Sequence, residues 1–206
     1  MVTIKKLKTK CKSYKREIGK ICNNLLLTKI VDKNNHNTYY ESNFKTTTWS
    51  IDVSEFKIAR GKLYLSPIIE VHKREIISYT ISKSPNFEQV NEMLNKTFKK
   101  HKNINRLILH LHQGWQYQMK QYHDKLSKRG IKQSMSRKRN CYDNCVIEIF
   151  FGTMKNEMFY GHEKEFKNLE DLEKAMRNYI NYYNKKGIIT KLKGPTPLRY
   201  RHQSLN

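Results

Sequence analysis

The stretch "TWSIDVSEF", residues 48–56, alternates as a strand does. Trp49, Ile51 and Val53 fall on one side and Ser50, Asp52 and Ser54 on the other, the period of a half-buried strand. Asp52 is the odd member. A carboxylate in the middle of a strand is costly unless it is paired or bound to a cation. The stretch therefore asks a chemical question as well as a structural one.

The pattern continues outward from it. "ARGK" reads as a turn, and "LYLSPIIEV" (63–71) and "EIISYTIS" (75–82) read as two further strands of an antiparallel meander. "SPNFEQVNEMLNKTFKK" follows as a helix, with Ser84 as N-cap, Pro85 at its first position, and Phe87, Val90, Leu94 and Phe98 on one face. Leu107 to Leu111 is a fourth strand carrying His110 and ending at His112. Residues 118–128 read as a helix closed by Gly130, and "IKQSMS" as a fifth strand. "DNCVIEIFFGTMKNEM" (143–158) is an amphipathic helix with Ile147, Phe150, Phe151, Met154 and Met158 in one stripe, and residues 168–186 form a last helix.

Composition points to a polyanionic partner. The 206 residues hold 41 Lys and Arg against 18 Asp and Glu, a formal charge of +23. Such an excess opposes compaction unless a polyanion neutralises it. The charges come in blocks: eight Lys or Arg and one acid lie in residues 120–139, and no acid follows Glu173. Blocks of one sign point to a partner, with nucleic acid first. No apolar run is long enough to span a membrane, and no partnership with one is expected. Four cysteines without a CxxC pair suit a reducing, cytoplasmic setting, and Cys141 and Cys145 are expected to pack rather than bind metal.

Three antiparallel strands, then helix, strand, helix, strand and helix, follow the order of the α/β ribonuclease H-like fold. Such a fold has a five-stranded mixed sheet flanked by helices. Three regions are expected: a basic lead segment or linker (1–44), a core (45–160), and a C-terminal helix with a basic tail (161–206). Glu148 lies on the 143–158 helix beside the apolar stripe, in a row with Asn144, Gly152 and Lys155 that suits a phosphate backbone.

The strings "QGWQYQ", "KQSMSRKRNCYDN", "EIFFGTMKNE" and "KLKGPTPLRYR", with "SYKREIGKI" and "TWSIDVSEF", resemble the catalytic subunit of bacterial insertion-sequence transposases with a retroviral-integrase-type core. The resemblance runs from about residue 8 to residue 203 in the family's order. It implies DNA cleavage and joining at element ends by two strand carboxylates and a helix glutamate that hold two divalent metals, Mg²⁺ or Mn²⁺. Asp52 matches the first carboxylate and Glu148 the third. The second falls 35 residues before the glutamate, with residues 113–147 between them, which is position 112.

Where the family reads His-Ser-Asp-Gln-Gly, this chain reads His110-Leu111-His112-Gln113-Gly114. His112 therefore stands where the resemblance implies an aspartate and a metal ligand. Magnesium prefers carboxylate oxygen, whereas imidazole suits Zn, Fe, Cu or Ni, so metal binding and catalysis are expected to be impaired. Leu111, Arg139 and Ile149 depart from the pattern too. The two readings are a transposase with an impaired Asp52–His112–Glu148 site and a non-catalytic DNA-binding remnant or inhibitor.

Around the site, Lys132, Arg137, Lys138, Arg139 and Lys155 are candidate phosphate contacts. Trp115 and Tyr117 follow His112 in an expected loop and are candidates to stack on unpaired bases, or to pack on the next helix. His110 is expected in the core or just behind the site residues, and Tyr179, Ile180 and Tyr183 are expected to pack. The resemblance implies DNA at element ends and target, self-association, and an upstream-frame helix-turn-helix partner, in a bacterial cytoplasm at the nucleoid. The chain starts past the family's helix-turn-helix region, so terminal-repeat recognition is expected to be missing.

Overall fold

The structure, a computed structural model, describes residues 21–31, 38–42, 47–85, 87–101, 104, 106–137, 144–189, 192 and 194–203. Strands β1 (Leu27–Val31) and β2 (Thr38–Ser42) form an antiparallel ribbon inside the expected lead segment or linker. The main sheet contains β3 (Thr48–Ile51), β4 (Ser54–Ile58), β5 (Gly61–Glu70), β6 (Ile76–Ser82), β7 (Ile108–Leu111) and β8 (Lys132–Met135).

The stretch 48–56 is two strands rather than one. Both β3 and β4 pair antiparallel with β5, β3 through Ile68 to Glu70 and β4 through Gly61 to Leu65, so they form one line broken at Asp52 and Val53. Six strand segments thus build the mixed sheet expected to have five strands. β6 lies on the other side of β5, while β7 runs parallel to β3 and β8 parallel to β7. All four residues of β3 are buried, because helices cover both faces of the sheet.

One face packs α1 (Phe87–Lys100), the single turn α2 (Trp115–Gln118) and α3 (Lys120–Ser127) on Trp49, Ile51, Leu109 and Leu111. α1 starts at Phe87, two residues later than Pro85 suggested. Gly130 closes the turn after α3 at φ 67, as its position predicted.

The other face packs α4 (Cys145–Met154) and α5 (Leu169–Lys185) on β4, β5 and β6. The helix expected over 143–158 stops being α-helical at Met154 and widens into a π-turn, Lys155–Phe159. The wider turn delays the helical phase, so Phe159 is buried at 5% exposure while Met158 is only half-buried. Phe159 stacks on Phe166 and meets Phe56 edge-on, centroids 6.3 and 5.2 Å apart. Tyr179, Ile180 and Tyr183 pack in this core as expected. Cys145, expected to pack, is exposed; Cys141 lies outside the described residues.

The C-terminal part is tied to the β5–β6 turn. Asn184 of α5 accepts from the Ile76 N–H at 3.0 Å and donates to its carbonyl at 2.9 Å, serving β6 as a strand neighbour would. Arg201, on the short helix α6 (Pro197–Gln203), pairs with buried Glu75 at 2.7 Å. Among the described residues no helix is long and apolar enough to cross a membrane.

Ile147 is fully buried where α4 meets β4 and β5. Replacing it with alanine leaves a cavity in that layer. Ile147→Ala is expected to cost about 2–5 kcal/mol in urea denaturation.

Candidate active site

Parallel pairing of β3 with β7 sets the site. Ile51 lies opposite Leu111, so the next residues, Asp52 and His112, leave the sheet side by side. His112 Nδ1 stands 3.1 Å from Asp52 Oδ1, at ion-pair distance but off the line of a hydrogen bond. The Val53 N–H donates to the same Oδ1 at 2.8 Å. Burial raises the Asp52 carboxyl above its ordinary range, while His112 and the Val53 N–H act to lower it.

Glu148 comes from the other side. Asn144, one turn earlier and just before α4, is buried and accepts the Ser50 hydroxyl at 2.5 Å. That bond fixes the start of α4 on β3, two residues before Asp52. Residues i and i+4 share a helix face, so Glu148 follows Asn144 toward the strand end. Burial raises the Glu148 carboxyl first and the negative charge of Asp52 second. The two carboxylates are therefore within electrostatic reach, and His112 lies against one of them.

The donor set does not fit a pair of magnesium ions. Among the described residues no three His, Cys, Asp or Glu side chains lie close enough to hold a metal ion as they stand. The two carboxylates offer hard oxygen, but the third position offers imidazole nitrogen, and it faces the oxygen of Asp52 that Val53 already engages.

The neighbours of the site divide. Tyr117 is fully buried, its ring edge-on to His112 at 5.3 Å and to Tyr122 at 5.6 Å. It packs beneath the site and is not a platform for bases; α2 folds it inward where a loop was expected. The side chain of Trp115 lies outside the described residues. Lys132 is exposed but opens β8 opposite Ile108, roughly 10 Å along the strand from the His112 end. It does not flank the site. Arg137 follows β8 at the site end, and Lys138 and Arg139 lie outside the described residues.

Lys155 is half-buried with its ammonium 5.1 Å from the Phe56 ring centroid, and burial lowers its pKa. Asn144 and Lys155 are thus both engaged within the fold, contrary to the phosphate-facing row. His110 is buried as expected, its Nδ1 2.9 Å from the Ser134 hydroxyl.

Sequence reading missed how these parts are held in place. Ser50, His110 and Ser134 are directly opposed across β3, β7 and β8 and form a buried polar row under the site. The signal was a serine and a histidine between large apolar residues in strands covered on both faces. Two glutamines of "QGWQYQ", Gln113 and Gln118, are pins as well. Gln113 donates to the Ser136 carbonyl at 3.1 Å, and Gln118 to the Gln113 carbonyl at 2.9 Å.

The carboxylate coupling has a direct test. Asp52→Asn removes the negative charge that disfavours ionised Glu148, so the Glu148 pKa is expected to fall, while its burial remains. Carboxyl-carbon NMR titration of metal-free protein reads this shift. An unmoved Glu148 resonance profile would mean that the two carboxylates do not share a site.

Known proteins carry the same organisation. The integrase core domain family matches residues 45–141, and a second integrase core domain family matches residues 148–205. The chain is 46% identical over 205 residues to a transposase-like protein of Haemophilus influenzae, covering 97% of this chain and 89% of the relative. It is 44% identical over 197 residues to an Escherichia coli protein named as the transposase of insertion sequence element IS150, covering 94% of this chain and 64% of that one. The chain thus spans just under two thirds of the length of the second relative.

Among solved structures, the catalytic core of HTLV-2 integrase in complex with magnesium, in its dimeric form, superposes with a TM-score of 0.58 at 15% identity, over 76% of this chain and 95% of that one. A simian T-cell lymphotropic virus intasome chain gives 0.63 at 13% identity, over 93% and 60%. These likenesses show the ribonuclease H-like fold of integrase cores. With the sequence matches, they place this chain in the integrase-core family of insertion-sequence transposases, proteins of DNA transposition and integration.

Proposed function

We propose that this chain engages the ends and target of a mobile DNA element as a transposase does, with a strand-cleavage site that His112 disables toward magnesium. The observation that carries the reading is the approach of His112 Nδ1 to Asp52 Oδ1 at 3.1 Å. A third carboxylate at position 112 would add an anionic oxygen and a negative charge. Two adjacent divalent ions need such charges to offset their mutual repulsion. The imidazole supplies neither. Asp52 and Glu148 remain as a carboxylate pair within reach of each other, which supports an origin in a working site.

The same geometry favours a second reading, a DNA-binding protein without catalysis that occupies element ends or partner subunits. In both readings DNA is the ligand, and self-association, an upstream-frame helix-turn-helix partner and residence at the bacterial nucleoid are part of the proposal. Arg137, Lys138 and Arg139 are the proposed phosphate contacts: Arg137 follows β8 at the end where Asp52 and His112 leave the sheet, and Lys138 and Arg139 are the next two residues in the sequence. The charge of +23 supports a polyanionic ligand.

A strand-nicking assay separates the readings. It compares the native chain with His112→Asp in Mg²⁺ and in Mn²⁺, on DNA carrying the element's own ends, with any upstream-frame partner supplied. Little Mg²⁺-dependent nicking is expected from the native chain, and a gain from His112→Asp. Equal activity of the two in Mg²⁺ would mean that His112 does not disable the site. A second measurement reads the grip on DNA. Neutralising Arg137, Lys138 and Arg139 together is expected to flatten the slope of log K against log salt by about 0.9 for each phosphate that is no longer neutralised. An unchanged slope would remove these residues from the interface.

A further inference from the structure

A groove of about 430 Å³ runs between α4 and α5, along a helix face that includes Val146, Ile149 and Thr153. Its walls are apolar and open. Ile149, Tyr182 and Ile188 line it while remaining 58%, 49% and 79% exposed. Large apolar side chains left open together mark a binding surface. Arg74 and Lys186 also line the groove. Its acid, Glu157, is engaged by the Tyr179 hydroxyl at 2.7 Å.

The backbone there is specialised. Arg74 sits at φ 58, a left-handed conformation that bulky residues seldom adopt and that gathers at ligand clamps. At Gly187 a Cβ would come within 2.8 Å of the Tyr183 carbonyl, so that stretch of the lining stays bare backbone. The chain beyond Glu173 carries no acid.

An apolar protein segment would match the walls but not the two cations, on a chain whose charge is already +23. A ligand with a flat apolar face and a negative charge matches both. We propose that the α4–α5 groove seats an unpaired nucleobase of a DNA strand, stacked on Tyr182 between Ile149 and Ile188, with the adjoining phosphate on Arg74 and Lys186. The proposal rests on the DNA-binding reading above and adds to it a subsite for single-stranded DNA. Stacking on an aromatic ring tolerates any base, because every base has a π-face. The subsite would therefore grip frayed or displaced strands without reading their sequence.

The test uses the full chain and fluorescence anisotropy, on a short single strand and on a duplex of equal length at one salt concentration. Tyr182→Ala is expected to weaken single-strand binding about tenfold and leave duplex binding little changed. Arg74→Asn removes the cation while keeping a residue that tolerates the left-handed conformation. It is expected to weaken single-strand binding and, in a salt series, to flatten the single-strand slope by about 0.7, the value for one phosphate. Tyr160→Ala, which removes a 53% exposed aromatic outside the groove, should change neither. Iodouracil-substituted single strand should crosslink at Tyr182 on irradiation, a readout in the native chain that needs no variant to fold.

Single-strand affinity unchanged in Tyr182→Ala, or falling in step with duplex affinity, overturns the proposal. So does a shift of that variant from dimer to monomer in sedimentation with DNA binding intact, which would assign the groove to a second copy. A native chain that binds neither DNA form would remove the DNA-binding reading itself. Binding of both forms that is indifferent to Tyr182 and Arg74 would remove the groove alone.

Discussion

The parallel ladder between β3 and β7 is the constraint on which the molecule depends. Parallel neighbours need a long crossover, and here β4, β5, β6 and α1 supply it. The register opposes Ile51 to Leu111, both fully buried, so apolar packing fixes it. A slip of β7 by one residue against β3 would turn His110 toward the apolar layer under α1 and α3. The ladder stops together on both strands, and the residues just past its end are therefore adjacent in space however distant in sequence. The Ser50–Asn144 bond then brings a third element to the same end.

The frame and position 112 are held by different means. Burial on both sides of the sheet holds the frame. Position 112 is only partly buried, with 40% of the histidine side chain exposed, and it lies past the last ladder residue. A substitution there costs the core little. The ring even gains a neighbour in Tyr117, packed edge-on below it.

The sheet and most helices were legible because alternation and helical stripes report directly on burial. The misreadings share a cause: separation along a chain says nothing of direction in space. Lys132 looked close to the site because it lies near Arg137, yet a strand run carries it to the other end of β8. Met158 fitted an ideal helical stripe until the π-turn shifted the phase to Phe159. Tyr117 looked like a loop aromatic because no short pattern announces a single helical turn held by glutamines. Asp52 and His112 were legible as a pair through spacing and resemblance. The polar row beneath them was not, since Ser50, His110 and Ser134 come from three strands and meet only across the sheet.

The outer edge of β8 carries a consequence for what counts as an independent folding unit. Residues 22–26 run beside it: the Met135 N–H reaches the Asn23 carbonyl at 3.4 Å, the Leu25 N–H donates to the Ser134 hydroxyl at 2.8 Å, and Leu26 is buried. An uncovered strand edge is a template for pairing with another chain. The matched integrase region starts only at residue 45. A fragment cut at that limit keeps every strand of the main sheet but strips the cover from its flank. The family boundary and the physical boundary of the domain therefore differ by some twenty residues, and the shorter piece is the one prone to aggregate.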